Sequence, residues 1–305
     1  MHNHGHHHHH HTLQTENIGR TFTLAILINV IYVVVEMTVG FIYDSVGLIS
    51  DAGHNLSDVA SLILALTAYK LSKVNSNAKY TYGYKKTTIL VSLINACALC
   101  VIVFFIFFES IEKIITPGKI QGGVISITAA VGVLINGFTA WLFVKGKKRD
   151  LNIKGAYLHM LADALVSIGV VVSGLIISYT GVYLIDGIIG IIVGIVIIVS
   201  TWDLLQKSLR LILDGVPEGI NPIEIAEMIK RTAGVKDVHH VHIWAISTNE
   251  NAMTAHVVLE DVSDMEKVKH RVKHLLAEHC NISHSTLEFE TSQCDCAECN
   301  VLVKD

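Results

Sequence analysis

Six apolar stretches, each of roughly 20 residues or more and so about the length of a helix that crosses a bilayer, fill residues 22–43, 46–69, 88–108, 124–144, 155–179 and 182–205. Nothing constrains the chain more, because lipid offers backbone amides no partners and segments of this length satisfy themselves only as helices. The composition agrees: 51% of the residues are hydrophobic and 16% are charged, against about 25% charged in soluble domains. Turn-like separators divide the stretches: Asp44-Ser45, Thr116-Pro117-Gly118, Lys145-Gly146-Lys147 and Thr180-Gly181. The expected fold is a polytopic α-helical membrane protein with a six-helix transmembrane domain over residues 18–213.

Six crossings return the chain to the side on which it started, and the basic residues say which side that is. Short loops rich in Lys and Arg stay cytoplasmic. The second connection carries Lys70, Lys73, Lys79, Lys85 and Lys86, and the fourth carries Lys145, Lys147, Lys148, Arg149 and Lys154. The first and fifth carry none, and the third has only Lys113 and Lys119. Both termini are therefore expected in the cytoplasm, with the plasma membrane as the default location.

After residue 213 the texture changes to that of a soluble module. Residues 222–231 and 264–279 read as amphipathic helices, and 238–247, 254–260 and 286–290 as strands. The order is αββαβ, a small α+β domain over residues 214–291. At this size a core alone is marginal, and dimerisation or metal would add to it. From residue 214 onward there are 8 Lys/Arg against 16 Asp/Glu. That excess argues against nucleic acid, which needs a basic footprint, and suits cations.

Two copies of one pattern interrupt the apolar stretches: His54-Asn55-Leu56-Ser57-Asp58 and His159-Met160-Leu161-Ala162-Asp163. A spacing of four puts each His and Asp on one helix face. Aspartate at the centre of a membrane helix costs roughly 2.5–3.5 kcal/mol, so such residues face an interior path. The alternation of crossings makes the second and fifth helices antiparallel, with Asp58 and Asp163 each about 15–18 Å from its own helix start. They meet near the midplane. A shift of about one turn would set Asp58 beside His159 and His54 beside Asp163, closing two imidazoles and two carboxylates around one ion. Glu36, Asn29, Asn95 and Asn136 are isolated polar residues in other spans and are expected to make interhelical hydrogen bonds.

The run from Ser45 to Asp58 (Ser-Val-Gly-Leu-Ile-Ser-Asp-Ala-Gly-His-Asn-Leu-Ser-Asp), the Tyr82-Gly83-Tyr84 loop, the later His159…Asp163 motif and the strand His239-His-Val-His-Ile-Trp244 resemble the cation diffusion facilitator family. The similarity is closest to its zinc-transporting branch, which includes bacterial cobalt–zinc–cadmium resistance exporters and animal zinc transporters. It covers roughly residues 18–291. The resemblance implies a homodimer, a metallochaperone-like cytoplasmic domain, and export of divalent metal against protons, with no enzymatic activity. By motif, His54, Asp58, His159 and Asp163 match the transport site. By family position, His239 and His256 are the leading cytoplasmic ligands, followed by His284 and Glu290. Some members also bind metal with Asp and His between the second and third helices; the loop from Lys70 to Lys86 has neither, so no site is expected there.

Two nitrogens and two oxygens in a tetrahedral set suit Zn²⁺, and also Cd²⁺ and Co²⁺. Such ligands bind metal only when deprotonated, so protons compete for them, as an antiporter requires. A membrane metal sensor or binding protein that holds ions without moving them would use the same ligands. Six helices and access from two sides favour transport. Neither a G-x-x-x-x-G-K-[ST] loop nor His-Glu-x-x-His is present, so an ATP-driven pump and an intramembrane metalloprotease lack their motifs.

Both ends of the chain carry further metal-binding side chains. Eight of the first eleven residues are histidine, and residues 1–17 read equally as a native metal-collecting tail or as an affinity tag. Residues 292–305 hold Cys294, Cys296 and Cys299. In a reducing cytoplasm their thiols would suit a soft metal better than a disulfide. In the cytoplasmic module, regular strand alternation would put His240 and His242 on one face and His239 on the other.

Overall fold

A computed structural model of the chain describes residues 12–42, 46–116, 124–148 and 150–292. The histidine-rich start and the cysteine tail with Cys294, Cys296 and Cys299 lie outside the described residues.

Six long helices come first: α1 (Thr12–Ile42), α2 (Val46–Leu71), α3 (Thr87–Ile115), α4 (Val124–Phe143), α5 (Leu151–Thr180) and α6 (Leu184–Ile212). Among the described residues, α1, α3, α5 and α6 contain stretches long and apolar enough to cross a membrane, and the described apolar part of α4 is the shorter Ala130–Phe143. The distribution of side chains is that of a membrane protein. Leu27, Ile31, Val34, Phe104, Phe105 and Val199 are exposed, whereas Asn29, Glu36, Asn95, Asn136 and Thr139 are buried. Asn29 donates to Thr139 Oγ1 at 3.0 Å, while Tyr32 and Asn55 donate to the two Glu36 oxygens at 3.1 and 2.7 Å. These bonds tie α1 to α4 and to α2.

Local chemistry sets the ends of α5. The Asp150 carboxylate caps its start by accepting from the Asn152 and Ile153 amides at 2.8 and 3.3 Å, satisfying donors that a helix start leaves without partners. At the other end Gly181 has φ 69°, a left-handed conformation that glycine adopts without a Cβ clash. The helices pack in pairs, α3 along α6, α4 along α5 and α1 along α2. The α3–α6 contact is close because Gly187, Gly190 and Gly194 face Ser110, Ile114 and Phe107. Small residues at this spacing let helix backbones approach in lipid.

The cytoplasmic module follows with α7 (Pro222–Lys230), β1 (Val235–Ala245), β2 (Asn251–Leu259), α8 (Met265–His279) and β3 (Ile282–Glu290). This is the expected αββαβ order. Its sheet runs β1-β2-β3, with β1 antiparallel and β3 parallel to β2. Ile225 and Ile229 from α7 and Val268, Val272 and Leu276 from α8 pack with Ile243, Met253 and Val257 of the sheet in one core.

The two parts touch through the β1–β2 turn, the segment after α6 and an apolar cluster in which Ile89 of α3 and Leu211 of α6 pack with Ala245 of β1. Lys85 Nζ meets Glu250 at 2.5 Å, Thr248 N donates to Thr88 Oγ1 at 3.2 Å, and Lys86 Nζ meets Asp214 at 2.6 Å.

Candidate metal centres

Two hydrogen bonds set the register of α5 against α2. Asn152 Nδ2 donates to the Ala65 carbonyl at 2.9 Å, and His159 Nε2 lies 2.9 Å from Asp58 Oδ1. Seven residues forward along α5 correspond to seven residues back along α2, so the helices are antiparallel. Asp58 is thirteenth of the 26 residues of α2 and Asp163 thirteenth of the 30 of α5. At ~1.5 Å per residue both stand about 18 Å from their helix starts, near the centre of a ~30 Å hydrocarbon layer.

The resulting cluster is closed to solvent. Asp58, His159 and Asp163 are 1%, 4% and 5% exposed. One ligand atom from each lies within 4.8 Å of the others, with His159 Nε2 4.0 Å from Asp163 Oδ2. Two carboxylates this close repel in low dielectric unless a proton or a cation lies between them. An imidazole and two carboxylates are zinc-type donors. His54 is on α2 one turn before Asp58, and its side chain lies outside the described residues. Asn55, buried and bound to Glu36, anchors the intervening turn to α1.

A second cluster lies in the cytoplasmic module. His239 of β1 pairs across the sheet with His256 of β2, which pairs in turn with Glu288 of β3. Ligand atoms of His239, His256 and Glu290 lie within 4.8 Å of one another. His256 Nδ1 is 2.7 Å from Glu290 Oε1 and His239 Nε2 is 3.3 Å from Glu290 Oε2. Glu288 approaches His256 Nε2 at 3.5 Å from the exposed side.

Strand alternation fails here. The β1–β2 register shifts between His239 and His242, and His240 has φ 53°. This bulge places the His240 ring 4.8 Å from His256 and 4.7 Å from His242, with His239 5.2 Å from His256. The strand histidines therefore gather into one group instead of dividing between faces. Bulges re-aim side chains in this way, and nothing in the residue types announced one. His284 is placed elsewhere: its ring lies edge-on to Tyr82 of the α2–α3 loop, centroids 5.3 Å apart. Two residues before His239 on β1, the Lys230 ammonium holds the Asp237 carboxyl below the usual carboxylate range.

Residues 22–213 match the cation efflux transmembrane domain, and residues 217–292 match the cytoplasmic domain of cation efflux proteins. The chain is 36% identical over 265 residues to the cadmium, cobalt and zinc/H(+)-K(+) antiporter of Bacillus subtilis, covering 85% of each chain. It is 33% identical over 291 residues to the zinc transporter ZitB of Escherichia coli, covering 95% of this chain and 93% of that one. To the metal cation efflux system protein CzcD of Cupriavidus metallidurans it is 33% identical over 280 residues, covering 92% and 89%. With both domains matched end to end, and with paired carboxylates and imidazole buried between α2 and α5, the chain belongs to the cation diffusion facilitator family of integral membrane proteins, in its zinc-transporting branch.

Proposed function

We propose that this protein exports divalent metal, Zn²⁺ foremost and Cd²⁺ and Co²⁺ with it, from the cytoplasm by exchange for protons. The observation that carries the reading is the Asp58–His159–Asp163 cluster, buried halfway along two antiparallel helices. The α2–α5 register puts position 54 level with Asp163, where an imidazole from His54 would complete a four-ligand site. Residues 18–213 would form the transport unit, and residues 214–291 its regulatory module. The chain acts as a carrier and not as an enzyme, because its buried groups bind and release an ion without bond chemistry.

Protons enter through the same residues. Zn²⁺ needs neutral imidazole and ionised carboxylate. Metal loaded from the cytoplasm leaves on the far side as His159 and the aspartates take up protons, and the protonated site then returns inward. The likeness to the zinc transporter ZitB and to the cadmium, cobalt and zinc/H(+)-K(+) antiporter supports the substrate and the exchange. The protein works as a homodimer with both termini cytoplasmic, in the plasma membrane. Metal held by His239, His256 and Glu290 would neutralise acidic repulsion between the two cytoplasmic modules and draw them together.

Proteoliposome flux with wild type and Asp163→Ala in parallel tests the proposal. Zn²⁺ entry should follow an imposed pH gradient and drop by a factor of about 100 or more when a ligand is lost, as ligand and supporting-shell losses cost 10–100-fold or beyond. Zinc binding without any flux in the wild type would reassign the protein as a metal sensor, and flux indifferent to the pH gradient would remove the proton exchange.

A further inference from the structure

At the cytoplasmic end of α5 and α6 lies an open cleft of about 670 Å³, bounded by the α4–α5 turn. Its wall changes character with depth. Lys147, Lys148, Lys154 and Lys207 line the cytoplasmic end together with Asp203 and Glu218, and Leu158 and Leu161, facing Ser200 of α6, line it one and two turns farther along α5. A smaller cavity of about 240 Å³ shares Lys147, Lys148 and Lys207 and adds Arg210.

The cations divide into two kinds. Lys154 is paired with Asp203, and Lys207 with Asp203 at 3.1 Å and Glu218 at 2.5 Å. Among the described residues no carboxylate pairs with Lys147 or Lys148. The Lys147 ammonium is held 3.7 Å from the centroid of the Tyr157 ring, which fixes its position without neutralising it. The cleft thus offers two cations with no carboxylate partner among the described residues, level with the headgroup region, and reaches inward to the largely buried side chains of Leu158 and Leu161.

We propose that this cleft binds an anionic phospholipid of the cytoplasmic leaflet, its phosphodiester between Lys147 and Lys148 and an acyl chain along Leu158 and Leu161. A soluble phosphate would use the lysines and leave the inner part of the cleft beside Leu158 and Leu161 unfilled. An apolar molecule would do the reverse. Only an amphiphile with a negative head matches both ends, and basic pockets between membrane helices on the cytoplasmic side are suited to such lipids. The inference rests on the cytoplasmic placement of this face and is independent of the metal carried.

A matched comparison exists within the same molecule. Lys73 also stands over a tyrosine, Tyr69, with its ammonium 4.5 Å from the ring centroid. It belongs to the α2–α3 loop and lines neither cavity. Native mass spectrometry of the full-length protein, titrated with phosphatidylglycerol, with phosphatidylcholine and with inorganic phosphate, distinguishes the cases. Phosphatidylglycerol should bind tighter than phosphatidylcholine, with the preference falling about fivefold for Lys148→Gln and by about another fivefold when Lys147→Gln is added. The Lys70→Gln/Lys73→Gln pair should keep it. Because Lys148 is exposed and has no ring or carboxylate partner among the described residues, its single substitution leaves the packing intact and reads binding alone. Equal loss in both pairs would mean general surface attraction and overturn the proposal, as would absence of a headgroup preference or displacement of the lipid by inorganic phosphate.

Discussion

Among the described residues, His240 is the one non-glycine strand position with a positive φ. A non-glycine residue at φ 53° in a strand carries a strain of order 1–2 kcal/mol. The compensation is an extra imidazole turned toward His256. His240→Gly should therefore raise the stability of the cytoplasmic module by up to about 1 kcal/mol while weakening its metal affinity, and denaturant melts with and without Zn²⁺ would resolve the two effects. At Asp150 the burial of the carboxyl outweighs the amides it accepts from, and its pKa lies above the ordinary value. The sign follows: this group's contribution to stability is complete below the ordinary carboxylate pKa and is lost as pH rises through the raised one. Asn caps a helix as well as Asp, so Asp150→Asn should keep α5 intact and flatten that decline, as read by melting temperature across mildly acidic pH.

Helix and strand boundaries separate what a sequence reveals from what only contacts decide. The six apolar stretches were legible because hydropathy over 20 residues has no other reading, yet α3 continues to Ile115, beyond the expected 108. Lys113 explains the extension, since it bridges Glu109 at 2.8 Å and Asp186 of α6 at 3.0 Å and so gives the last turns partners. Likewise α5 begins at Leu151 and not at 155, because Asp150 supplies a cap that apolarity does not report. The paired His-x-x-x-Asp motifs were legible because two matching patterns interrupt apolar helices. The contact between His284 and Tyr82 was not, since it joins the α2–α3 loop to β3, about 200 residues apart in the chain. The glycine seam of α6 yields its own expectation. A Cβ at Gly194 would stand 2.6 Å from the Phe107 ring, so Gly194→Leu should cost about 1–3 kcal/mol by overpacking and lower the thermal stability of the purified protein.

On the scale of the whole molecule, the membrane and cytoplasmic parts are joined by a small buried cluster of Ile89, Leu211 and Ala245 and, around it, by polar contacts. Lys85–Glu250 and Lys86–Asp214 are partly exposed, and exposed pairs contribute about 0–1 kcal/mol each. The polar contacts therefore add little to what the apolar cluster holds. Glu250→Gln should accordingly leave both domains folded while increasing amide exchange in the 246–250 turn, measured by hydrogen–deuterium exchange, and high salt should do the same to the wild type.

The Asn152–Ala65 hydrogen bond lies seven residues from the Asp58–His159 contact along both helices, about 10 Å at ~1.5 Å per residue. If that bond stays closed while α5 swings, it is a fulcrum and the ligands ride on the lever arm. A tilt of roughly 10° would then part Asp58 from His159 by about 2 Å, many times the ~0.2 Å tolerance of a metal–ligand bond. In the proposed transport cycle, a swing of that size would turn a tight grip into release, with no sliding of one helix past the other.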